Sequence, residues 1–81
     1  MDILDFGLLD ISQQEELIGK YGKFIRTEAT GDYLHDIYIY DAFYVLFYYL
    51  LNEGGTIKSK CFLTLGHAKP FIDLLNNDVH L

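Results

Sequence analysis

The sequence predicts an α+β protein: an N-terminal helix, a four-stranded antiparallel meander sheet and a short C-terminal helix. Three observations carry that expectation. Between residues 23 and 65 four runs rich in apolar and β-branched residues are divided by short turn-forming stretches, the pattern of consecutive antiparallel strands. A capping-box signature with an apolar stripe behind it precedes the runs, and an apolar pattern opened by a proline follows them. At 81 residues the chain has room for one core, so a single domain over 1–81 is expected.

Residues 1–10 mix Ile3, Leu4, Phe6, Leu8 and Leu9 with three aspartates and Gly7, too irregular for an assigned element and too apolar for a free tail. A docked arm is expected there. In Ser12-Gln13-Gln14-Glu15 the serine oxygen can accept from the amide three residues on, while Glu15 reaches back to the amide of Ser12. A helix over 12–21 follows, with Leu17, Ile18 and Tyr21 as its apolar stripe. Glu15 and Glu16 fall in its first turn and Lys20 and Lys23 near its end, in keeping with the helix dipole, and Gly22 is a left-handed stop.

The sheet is expected over 23–65. Lys23 to Thr30 is the first strand, Thr30-Gly31-Asp32 a turn, and Tyr33 to Tyr40 the second strand. The run from Ile37 to Leu51 holds seven of the chain's aromatic residues and breaks only at Asp41-Ala42, where aspartate tolerates the left-handed backbone of a tight hairpin. Phe43 to Leu51 is then the third strand, Asn52 to Gly55 a turn, and Thr56 to Leu65 the fourth strand. A helix over 67–76 closes the chain, with Pro70 in its first turn, Phe71, Leu74 and Leu75 facing inward and Asn76-Asn77 at its stop.

Composition excludes several function classes. Twelve acidic against six basic residues give a formal charge of −6, so a surface that neutralises nucleic-acid phosphates is not expected. The lone Cys61 allows no internal disulfide, and His35, His67 and His80 stand singly, so no zinc site and no cofactor are expected. The N-terminal Met-Asp-Ile-Leu-Asp has no basic leader pattern, and the apolar run is shorter than the roughly 18 to 20 residues of a membrane span. A cytoplasmic protein with no membrane partner is the expectation.

Hairpin registers divide the sheet into two faces. A two-residue loop at Asp41-Ala42 sets Ile39 against Tyr44, Ile37 against Leu46 and His35 against Tyr48. A four-residue loop at Asn52 to Gly55 sets Leu50 against Ile57 and Leu46 against Cys61, and a three-residue loop at Thr30 to Asp32 sets Arg26 against Asp36 and Ile25 against Ile37. One face is then core, with Ile37, Ile39, Tyr44, Leu46, Leu50, Ile57, Cys61 and Leu63 beneath both helices. The other bears Tyr38, Tyr40, Phe43, Val45, Phe47, Tyr49 and Phe62 with Asp36, Lys58 and Lys60. Aromatic area mixed with charge suits a partner surface, unless the N-terminal arm folds over it. Tyr38, Tyr40, Phe43, Phe47, Tyr49, Lys58 and Lys60 are the expected partner-binding residues.

No catalytic constellation emerges. Cys61 reads as a buried strand thiol, and His35 and Asp36, as strand neighbours, point to opposite faces. Gly19-Lys20-Tyr21-Gly22-Lys23 lacks the spacing of a phosphate loop and closes a helix rather than opening one. Asp2, Asp5 and Asp10 have no calcium-loop spacing.

The order Tyr21-Gly22-Lys23-Phe24-Ile25, Ile37-Tyr38, Asp41-Ala42-Phe43-Tyr44-Val45, Cys61-Phe62 and Pro70-Phe71-Ile72 resembles a small bacterial family of uncharacterised single-domain proteins. The likeness covers about residues 14–75, departs at Leu46 and Cys61, where that family often has Glu and Ser, and implies the meander but no activity. The expected function is a small acidic protein-interaction module without catalytic activity, a homodimer through the aromatic face. Alternatives are an acidic inhibitor, immunity or anti-defence protein blocking a basic surface of a partner enzyme, and a ligand-binding module or enzyme.

Overall fold

Strand pairing follows chain order. In the computed structural model, which describes residues 1–51 and 57–79 with 74–79 as backbone alone, the elements are α1 (Ile3–Gly7), α2 (Ile11–Tyr21), β1 (Lys23–Thr30), β2 (Tyr33–Tyr40), β3 (Phe43–Leu50), β4 (Lys58–Phe62) and α3 (Leu65–Val79). The strands form one antiparallel sheet in the order β1-β2-β3-β4, giving the α+β fold that the sequence predicts. Positive φ values of 60° at Gly31 and 51° at Asp41 turn the two tight hairpins. The expected turn at Asn52 to Gly55 and the strand start at Thr56 lie outside the described residues.

The docked arm contains a helical turn. Asp2 caps α1, its side chain accepting from the Asp5 amide at 2.8 Å, and Phe6 on its inner side is fully buried. The capping box forms at Asp10 and Gln13 rather than at Ser12 and Glu15: the Gln13 amide donates to Asp10 at 2.8 Å and the Asp10 amide to Gln13 at 3.1 Å. Both tetrapeptides carry the motif, and the earlier one lengthens α2 to Ile11–Tyr21. Glu15 and Glu16 therefore lie beyond the first turn, where Glu16 pairs with Lys20 at 3.0 Å, and Tyr21 is 68 % exposed instead of joining the stripe. Gly22 ends the helix with φ −77°, in extended and not left-handed backbone. Its lack of a side chain matters for another reason, since a Cβ there would stand 2.8 Å from the Ile18 carbonyl oxygen.

The β2–β3 register pairs Ile39 with Tyr44, Ile37 with Leu46 and His35 with Tyr48, as the hairpin at Asp41-Ala42 requires. The other two registers each differ by one residue from expectation. Thr27, not Arg26, faces Asp36 and donates its hydroxyl to that carboxylate at 2.6 Å, because the turn has two residues and Ile25 is the extra residue of a bulge between Phe24 and Arg26. Leu46 faces Lys60, and Cys61 faces Val45. A one-residue slip exchanges faces, so Ser59 and Cys61 lie on the Val45 side of the sheet, and Lys58, Lys60 and Phe62 on the Leu46 side. Leu63 falls past the strand end and is 59 % exposed.

Both faces are covered. Phe6 and Ile18 from α1 and α2 pack on Phe43, Val45 and Phe47, with Ile3, Leu9, Leu17, Tyr38, Tyr40, Ile57 and Cys61 around them. On the other face Ile37 and Leu46 are buried, as is Ala68 of α3, and the Phe71 ring lies 5.1 Å from Tyr48 and 5.8 Å from Phe62. The two helical ends thus sandwich the sheet instead of sharing one face. Helix α3 starts two residues earlier than expected, with the His67 amide donating to the Thr64 carbonyl and hydroxyl at 3.1 and 3.2 Å, and continues past Asn76-Asn77. Pro70 consequently sits in its second turn, where the carbonyl it leaves unpaired belongs to exposed Gly66 and can be hydrated.

Candidate functional site

The expected partner surface separates into two places. Phe43 and Phe47 are 2 % and 7 % exposed under α1 and α2, so the aromatic face is core. Tyr40 meets Phe6 edge-on at 5.8 Å, Tyr38 is wedged between Phe24 at 5.4 Å and Phe47 at 5.8 Å, and Tyr49 lines a cleft with Asp36 and Glu15. Lys58 and Lys60 are exposed on the opposite face, Lys60 with its ammonium 5.8 Å from the centre of the Phe71 ring. The slipped β4 register and the docking of α1 are the two causes of this division.

The two most exposed large apolar side chains among the described residues lie instead on the N-terminal layer. Phe6 points inward from the single turn and a half of α1, which turns Leu4 and Leu8 outward, 76 % and 85 % exposed. Between α1 and β4 runs a groove of about 390 Å3 lined by Ile3, Leu4, Gly7, Gln14, Ser59, Lys60 and Cys61. Gln14 fixes this groove: it is 3 % exposed, donates to the Phe6 carbonyl at 3.0 Å and accepts from the Ser59 hydroxyl, tying α1, α2 and β4 together. Neither Gln14 nor the two leucines had a distinguishing signal in the sequence, because only the packing of Phe6 and Ser59 tells the buried amide from its neighbour Gln13.

The same layer is acidic. Asp2, Asp5, Asp10, Glu15 and Glu16 are all exposed, and the chain has no lysine or arginine before Lys20. Asp2 and Asp10 have a structural part as helix caps, which leaves their charge at the surface.

His35 and Cys61 do not form a reactive pair, since the register sends them to opposite faces. His35 is fully buried; its Nε2 is 2.9 Å from the Thr30 hydroxyl and its Nδ1 has no partner among the described residues. Burial holds its pKa below the ordinary 6.5, outweighing the pull of the Glu28 and Asp36 charges in the other direction. The Cys61 thiol is pushed up by burial against a smaller lowering by Lys60, the reverse of what activates a nucleophile. Among the described residues no group of three or more His, Cys, Asp or Glu side chains could hold a metal ion, and no helix is long and apolar enough to cross a membrane.

Comparison of the chain with known protein families, with curated proteins and with solved structures found no match.

Proposed function

We propose that the protein is an interaction module that docks its α1–α2 layer onto a surface of another protein that is both basic and apolar. The observation that carries this reading is the pair Leu4 and Leu8, 76 % and 85 % exposed on a layer with five exposed carboxylates and no lysine or arginine before Lys20, the Met1 ammonium being paired with Asp41. Leucine pairs so open to water favour burial, at roughly 25 cal/mol per Å2 of apolar area covered. The carboxylates choose the sign of the partner and speed encounter with it. On such a partner the module covers a basic site and blocks whatever that site binds. The lone thiol fits a cytoplasmic setting.

The test uses the tagged chain as bait under native conditions. A stoichiometric basic protein should be retained, lost with the Leu4→Ser/Leu8→Ser variant, and weakened by raising salt from 0.05 to 0.5 M, estimated by Debye screening to shorten the reach of the charges about threefold. These leucines touch no core residue on their outer side, so the variant's own stability should stay within about 0.5 kcal/mol. Retention that survives the substitution and the salt would overturn the reading.

A further inference from the structure

We infer that the open edge of β1 is a self-pairing edge, through which two copies join their sheets antiparallel about a twofold axis at Thr27. This proposal is independent of the docking layer on α1 and α2. The sheet order leaves β1 and β4 as its two edges, and their charges treat a second copy in opposite ways.

An antiparallel pair related by a twofold axis perpendicular to the sheet keeps each side chain on its own face only if the axis passes through a residue. On β4, centring on Ser59 sets Lys58 against Lys60, and centring on Lys60 sets that lysine against itself. Like charges directly opposed disfavour both arrangements. On β1, centring on Thr27 sets Arg26 of each copy against Glu28 of the other. Arg26 and Glu28 are already paired on one face of the strand, 51 % and 36 % exposed. Two copies therefore close a ring of four alternating charges, which is more effective than isolated surface pairs.

The backbone agrees with the charges. Thr30 and Tyr33 flank the two-residue turn and form a hydrogen-bonded pair, so bonding alternates along β1 from there. By that alternation Glu28 and Arg26 bond to β2, while Thr27 and Ala29 direct their amides and carbonyls to the open edge. Twofold pairing at Thr27 uses the central groups: the Thr27 amide and carbonyl of each copy bond those of Thr27 in the other. Arg26 and Glu28 then occupy the narrower, non-bonded positions where side chains come closest. The bulge at Ile25 ends the new ladder on each side, which keeps the union to two copies' central segments.

The experiment is sedimentation and light scattering of the full chain from low to hundreds of micromolar, with circular dichroism to follow the fold. The expected mass is twice 9.4 kDa. Arg26→Glu or Glu28→Arg alone should weaken association at least about tenfold, and the double reversal should recover it, because each exchanged charge again meets its opposite. Thr27→Pro, which removes an amide β2 does not use, should abolish the dimer with the fold retained. Should that variant unfold, amide exchange of the unmodified protein serves: Thr27 must slow as concentration rises. A strictly monomeric chain, a dimer indifferent to the reversals and to proline, or a double reversal weaker than either single one would overturn the proposal.

Discussion

His35 concentrates most of what is unusual at the scale of one residue. Its imidazole is wholly buried, bonded at Nε2 to Thr30, and held neutral by burial. A histidine whose folded pKa lies below its unfolded value of 6.5 binds its proton more readily once unfolded. The folded state therefore keeps its full stability above pH 6.5 and loses it as pH falls through that value toward the folded pKa. Urea midpoints of the native protein should drop between about pH 7 and pH 5, and His35→Leu should flatten that part of the profile. An unchanged slope in the variant would contradict the assignment to His35. The sequence marked His35 as facing Tyr48 across the hairpin, and this pairing is present. The depth of its burial was not legible, since strand alternation tells which face a side chain takes and not how deeply that face is covered.

Helix α2 illustrates how elements compete for the same residues. Two overlapping capping boxes are written in the sequence, and the helix takes Asp10-x-x-Gln13 over Ser12-x-x-Glu15. Asp10→Ala should cost about 1 kcal/mol in urea unfolding, while Ser12→Ala should be near neutral; equal effects would contradict the assigned cap. Strand existence was legible throughout, because alternation and turn residues are local signals. Register was legible only for the β2–β3 hairpin, where Asp41 alone interrupts the apolar run. At β1 the bulge at Ile25 left no mark in composition, and a single-residue slip at β4 moved Cys61 and Lys60 to opposite sides from those expected. The partner surface drawn on those faces inherited that error. Leu4 and Leu8, by contrast, sat in a segment with no clear period, so their exposure emerged only with the position of Phe6.

At the scale of the whole molecule, both sheet faces need cover. Deleting residues 1–22 should bare Phe43, Val45 and Phe47, and the remaining sheet and α3 should scatter light and bind a hydrophobic dye. A monomeric, cooperatively folding fragment would contradict the two-sided core. The acidic N-terminal layer and the β1 edge lie on different parts of the surface, so a dimer would present two docking layers on one side of the joined sheet, which favours bivalent partners. Every pairing in the sheet is between strands adjacent in the chain, an arrangement that closes quickly because its loops are short. The helices that seal its first face, however, precede it. A growing chain synthesised from the N-terminus carries Phe6 and Ile18 unsheltered until β3 has emerged, so this half of the core cannot close before Phe47 has been added.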